Sequence, residues 1–198
     1  MKKFKLREDL SKDFSGIKLF RIQALISTTY FNKGDLGGYV EKKENLSHEG
    51  FSWIFKDAHV SGNAYVSGNA CVYGNAHVYG DAHVSGNSHV YGAAYVYGDA
   101  YVYGDAHVYG NAQVSGKACV SGGATISSNK NISNVILPFK DCITLTDNHI
   151  QIGCIIHEIS YWEKNIKKIG LENKYSEKEI QGVIYILKGL LKLREEAK

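Results

Sequence analysis

Residues 57–122 read DAHVSG NAYVSG NACVYG NAHVYG DAHVSG NSHVYG AAYVYG DAYVYG DAHVYG NAQVSG KACVSG, eleven hexapeptides in a row without a gap. A degenerate copy follows at 123–128, and 129–134 keeps an Ile at the Val position. Self-similarity at a short fixed period marks a solenoid, in which no unit can bury its apolar face alone. Within each unit Ala and Val stand two residues apart. Both therefore point to one side of a strand, and the residues between and after them point to the other. Gly followed by Asn or Asp is turn chemistry, because these residues tolerate positive φ. The period predicts strand, corner, strand, corner, with Ala and Val inward and His, Tyr and Ser outward. Three such strands, one from each of three successive units, close a triangular coil. Stacked coils sit about 4.8 Å apart, and small Ala and Val suit a narrow bore. Each buried Val contributes about 1.5 kcal/mol, so the stack is stable only as a whole.

The composition agrees. The chain has 198 residues, 21 Gly against one Pro, and 14 Tyr. Eleven of those Gly close the units, so the Gly serve a regular structure rather than loops. Net charge is +3, unevenly spread. Residues 1–56 carry 11 Lys/Arg against 7 Asp/Glu, 57–122 carry 1 against 4, and 123–198 carry 11 against 9. This is neither the clustered basic face of a nucleic-acid binder nor the heavy acidity of a DNA mimic. No apolar run reaches the roughly 18 residues of a membrane span. The start, Met1 to Arg7, is basic but runs into Glu8-Asp9 without an apolar stretch, so no export signal is expected. Four Cys then fit a reducing cytoplasm.

The sequence divides into three parts. Residues 1–56 are expected to hold an N-terminal strand around Phe20, Ile22, Ala24 and Ile26, and an irregular capping coil. In that coil Val40, Leu46 and Ile54 take bore positions, with Trp53 and Phe55 covering the open end. Residues 57–134 form the repeat coil. Residues 135–198, after a boundary at Pro138, form an α+β cap. There, 142–146 and 149–154 flank Asp147-Asn148, a hairpin signal. Its register puts Ile143, Leu145, Ile150, Ile152 and Cys154 on one face and Cys142, Thr144, Thr146, His149 and Gln151 on the other. Two helices follow, each opened by a capping box, Ser160 to Glu163 and Ser176 to Glu179. The first is expected to stop at Gly170. The second carries Ile180, Val183, Ile184, Leu187, Leu190 and Leu191 as one stripe, with Tyr185, Ile186 and Leu193 making its other side apolar too. These six stripe residues are the candidate oligomerisation surface of a dimer or trimer.

Every third unit falls on the same wall. One wall thus stacks Tyr73, Tyr91 and Tyr109 beside Cys71, His89, His107 and Thr125. A second stacks Ser61, Tyr79 and Tyr97 beside His59, His77 and Tyr95. The third holds Tyr65, His83, Tyr101 and Tyr103. Such ladders can simply stabilise neighbouring strands, or they can form an interface, where Tyr is enriched. A base-stacking platform is the lesser alternative. The candidate binding residues are Tyr73, Tyr91, Tyr109, His89 and His107. No nucleophile, base and orienter can be read together, and no catalytic residue, metal or cofactor is assigned. Cys142, His149, Cys154 and His157 are close in sequence, but the hairpin register divides them between faces, against a shared zinc site. Asp81 and Asp99 stack at one corner between Asn63 and Lys117, where solvation is the plain reading.

The Ala-x-Val-x-Gly-Asn/Asp pattern resembles the hexapeptide-repeat, left-handed parallel β-helix proteins, over roughly residues 34–134. The resemblance implies the left hand, which periodicity does not show. Ser or Tyr follows Val, and no loop breaks 57–122, which departs from the acyltransferases of that family. Gly34-Asp35-Leu36-Gly37-Gly38-Tyr39-Val40-Glu41, then Glu44-Asn45-Leu46-Ser47, Glu49-Gly50 and Trp53, are similar in style to small proteins encoded by phages and prophages. That resemblance implies a non-enzymatic accessory protein whose partner is a host antiviral protein, in the manner of an anti-CRISPR. The alternatives are a hexapeptide acyltransferase, with His89 or His107 as general base between subunits, and a structural piece of a virion or polymer.

Overall fold

A computed structural model of the chain describes residues 2–128, 133–136, 142–153 and 155–196. The repeat folds as a parallel β-helix of three walls, capped by an antiparallel sheet and two helices. Each hexapeptide supplies a short strand built on one outward residue and its Val. On the first wall His59–Val60, His77–Val78, Tyr95–Val96 and Gln113–Val114 pair in parallel. On the second, Trp53–Ile54, Cys71–Val72, His89–Val90 and the strands opening at His107 and Thr125 pair likewise. The third is Tyr65–Val66, His83–Val84, Tyr101–Val102 and Cys119–Val120. The Val side chains from 60 to 120 are fully buried, and so are the Ala beside them in the bore.

The first coil is built from poorer material in the same geometry. Val40, Leu46 and Ile54 lie in the bore as the pattern predicts, under Val60, Val66 and Val72. Trp53 does not cover the bore. It pairs with Cys71 at an outward position and is 1 % exposed because Phe31 stacks on it at 3.9 Å and Phe4 meets its edge at 6.4 Å. Phe55 only packs against the core from its rim.

The corners give the stack a direction. At corner after corner the N–H after the Gly donates upward to the Gly carbonyl of the next coil, as in Asn69 to Gly86 and Asn87 to Gly104, both 2.8 Å. Gly is required twice over here: Gly86 has φ +69, and a Cβ on it would lie 2.7 Å from the Gly104 nitrogen. The lowest coil therefore ends in unused carbonyls and the highest in unused N–H groups, and each end meets a cap of the matching kind.

At the bottom, β1 (Phe4–Phe14) and β2 (Ile17–Ala24) form a hairpin that joins the first wall through β2 and Leu36–Val40. Its turn, Ser15-Gly16, has φ +51 and +82, the double positive φ of a tight hairpin turn. β1 escapes the sequence reading because Glu8, Asp9 and Leu10 interrupt its register between Arg7 and Ser11. The completely buried Lys3 donates to the carbonyls of Ser52 at 2.8 Å, Gly50 at 3.4 Å and Glu49 at 3.5 Å. Burial lowers its pKa to about 8.

At the top, the hairpin read at 142–154 is present, closed by the Thr146 N–H to His149 carbonyl bond at 2.9 Å. It lies inside a four-stranded antiparallel sheet with Ser133–Ile136 and Ile155–Glu158 on its flanks. Ser133–Ile136 pairs with Cys142–Leu145, so the last coil strand is Thr125–Ser128 and not a strand reaching 134. The polar face of the sheet sits on the coil. Thr144 Oγ1 accepts from the Cys119 N–H at 3.5 Å, Asn148 Oδ1 from Thr125 at 2.9 Å, and Asp147 Oδ2 from Ser127 at 2.8 Å. Residues 129–132, Pro138 and Cys154, where the sequence suggested a further unit, a boundary and an apolar contact, lie outside the described residues.

The other face of the sheet, Ile143, Leu145, Ile150 and Ile152, packs against α1 (Ile159–Glu172) and α2 (Glu177–Glu196). The Ser176–Glu179 capping box forms as read. The one at Ser160 does not: Ile155–Glu158 runs straight into the helix, which starts at Ile159 and puts Ser160 inside it. Gly170 does not stop α1. It lets α2 approach, since a Cβ there would lie 2.6 Å from the Ile180 side chain. Among the described residues no helix is long and apolar enough to cross a membrane.

Candidate functional site

The coil brings the read columns together because each outward position lies directly beneath its counterpart three units later. On the second wall the rings of Tyr73 and Tyr91 stack at 4.8 Å and 1°, and Tyr91 and Tyr109 at 5.1 Å and 9°. His89 and His107 stack beside them at 5.0 Å and 9°, with Tyr91 edge-on to His107 at 6.3 Å. This stacking half-buries all three tyrosines, so the column shows edges and hydroxyls rather than faces. Burial, and then Tyr91 and Cys71, raises the Tyr73 pKa; burial, and then Tyr109, raises that of Tyr91. Burial, and then the neighbouring His107, lowers the His89 pKa.

The most exposed rings of the repeat lie on its other walls. Tyr79, Tyr95, Tyr101 and Tyr103 are 36–46 % exposed and belong to the first and third walls. Tyr79 stacks on Tyr97 at 5.0 Å, and His83 on Tyr101 at 5.0 Å. The sequence ranked the second wall by the regularity of its Tyr spacing. It carried no signal for exposure, which depends on how the rings rotate onto one another.

The lower first wall is closed by a contact that the sequence did not show. Phe14, at the hairpin tip, meets His59 at 4.7 Å and His77 at 4.9 Å, while Tyr39 and Lys12 complete the pocket. His59 is 6 % exposed and neither ring nitrogen has a hydrogen-bond partner. Burial, helped by Lys12 and His77 and opposed by Asp57, lowers its pKa to about 4. His77 is lowered by burial and by Lys12.

The corner column is hydrogen-bonded and exposed: Lys42 Nζ donates to Asn63 at 2.9 Å, and Asn63 to Asp81 at 3.1 Å. His157 packs on Tyr161 at 4.4 Å, and His149 keeps a buried Nδ1 without a partner. Among the described residues no three His, Cys, Asp or Glu stand together as metal ligands.

Of the six residues read as an oligomerisation stripe, Ile180, Val183 and Leu187 are buried, and Ile184, Leu190 and Leu191 are half-buried. Leu187 and Val183 pack on the sheet core, with Leu190 and Leu191 beside them. This face serves the chain's own interior. Compared with known proteins, the chain matches no family model and no curated sequence.

Proposed function

We propose that the chain is a non-enzymatic binding protein, whose coil walls present aromatic columns to a partner protein. In this reading it is a left-handed hexapeptide-repeat protein of viral or prophage origin that inhibits a host antiviral defence system, as an anti-CRISPR does. The observation that carries the binding reading is what occupies the outward position after each Val. Ser61, Ser67 and Ser85 fill it in some strands and Tyr73, Tyr79 and Tyr91 in others, with the same strand pairing. The coil needs no ring there, yet six Tyr fill that position between residues 73 and 109. Tyr supplies broad contact area at small entropic cost and is enriched at interfaces. The anti-defence part rests on the resemblance of 34–53 to phage-encoded proteins.

Cells carrying a panel of defence systems, with and without the chain, would be challenged with phage. Plaque counts should rise in at least one system, and Tyr91→Ser with Tyr109→Ser should cancel the rise. No rise in any system would remove the anti-defence reading. A second reading is a hexapeptide acyltransferase with His89 or His107, stacked at 5.0 Å on one wall, as general base between subunits. Acyl transfer by the purified chain that disappears in His89→Ala or His107→Ala would favour it instead.

A further inference from the structure

α2 buries one face in the chain's interior, and its opposite face carries two exposed apolar side chains among glycines and charged residues. On the face turned away from the sheet, Tyr185 is 83 % exposed and Leu193 is 64 % exposed. At 3.6 residues per turn, Gly182 and Gly189 share this stripe with them. A glycine inside a helix costs about 1 kcal/mol relative to Ala. A Cβ at Gly189 would meet nothing within 4 Å, so packing within the chain gives no reason for a bare position. The ends of the same stripe are charged, with Lys178 at the N-terminal end, and Lys192 and Glu196 at the C-terminal end.

We propose that this face docks on the same face of a second copy, α2 against α2, antiparallel about a two-fold axis. Two features point to one register. Matching the charges at both ends sets Lys178 opposite the second copy's Glu196. That alignment sets Tyr185 opposite the second copy's Gly189, so a projecting ring meets a bare stretch of backbone on each side of the axis. The two charges cannot meet within one chain, because the straight helix between them holds them about 27 Å apart. Among the described residues Glu196 otherwise pairs with Lys192, at 3.9 Å and exposed, a weak contact. A contact between single helices is small, so the dimer dissociates on dilution. The reading does not depend on the aromatic walls, and its variants leave them untouched.

Sedimentation equilibrium on the purified chain tests it. The wild type should pass from 21.9 kDa toward twice that mass as concentration rises. Gly189→Leu should sediment as a monomer with an unchanged circular dichroism spectrum and a melting temperature at or above wild type. Lys178→Glu and Glu196→Lys should each weaken the dimer about tenfold, and the two together should restore it. A wild type that stays monomeric at all concentrations overturns the proposal. So does a dimer that tolerates Gly189→Leu, or a charge-swapped pair no better than its parents.

Discussion

Val84 lies fully buried in the bore, with Val66 below it and Val102 above. An Asp there would be a charge without a partner, and Val84→Asp should cost more than about 4 kcal/mol and unfold the coil. A melting curve like that of the wild type would refute the packing described. The outward positions obey a different rule, which is why the sequence told bore from surface so well. Period alone fixes which residues face inward, whereas Trp53 shows what period misses. Its burial comes from Phe31 and Phe4, both far outside its own unit, and no local pattern announces that contact. His59 is a second such residue. Its folded pKa of about 4 lies below the ordinary 6.5, so the unfolded chain takes up the proton first as pH falls. The stabilisation is complete above about pH 6.5 and is lost between there and about pH 4, at most ~3 kcal/mol. Urea unfolding at a series of pH values should show this loss, reduced in His59→Phe. Parallel curves for the two proteins would count against the buried, neutral imidazole.

At the scale of the element, the aromatic columns and the coil strands are separable. Changing Tyr91 and Tyr109 together to Ser should leave the strand pairing intact, because Ser85 occupies the equivalent position beneath Tyr103 in the same geometry. Far-ultraviolet circular dichroism checks the fold, and titration against the partner identified from the defence assay checks the binding. A loss of about 2 kcal/mol or more in affinity is the scale of central aromatic contacts; unchanged affinity would return the column to a stiffening role. The columns were legible because stacking at every third unit is arithmetic. Their exposure was not, since face-to-face rings cover one another. The elements misread in sequence share a physical cause. α1 takes its start from the strand that feeds it, not from Ser160. The Gly170 signal marks a helix crossing rather than an end, and β1 hides behind a bulge. In each case a tertiary neighbour overrode the local signal.

The whole molecule is a stack closed by two unlike caps, one offering donors and the other acceptors. Lys3 tests the lower one. Lys3→Met keeps the length of the side chain but leaves the Ser52, Gly50 and Glu49 carbonyls without their donor, and should cost about 1–3 kcal/mol. Chemical denaturation gives the value, and a difference below a few tenths would show that the ammonium is dispensable.

The upward-running corner bonds have a consequence for size. The hairpin reaches up to His77 and the upper sheet down to Tyr103, and between them each coil meets its neighbours through the same kind of bonds. The number of coils is therefore a free dimension, counted in hexapeptides. Repeating 87–104 once should yield a folded chain one strand spacing taller, by about 4.8 Å, with both caps seated as before. Repeating a single hexapeptide instead should move the helices round by one wall, a third of a turn, while the hairpin stays put. The chain behaves like a screw thread, in which length and angular setting are written in the same units. A scattering profile that lengthens after the first insertion, and turns the helices after the second, would show it.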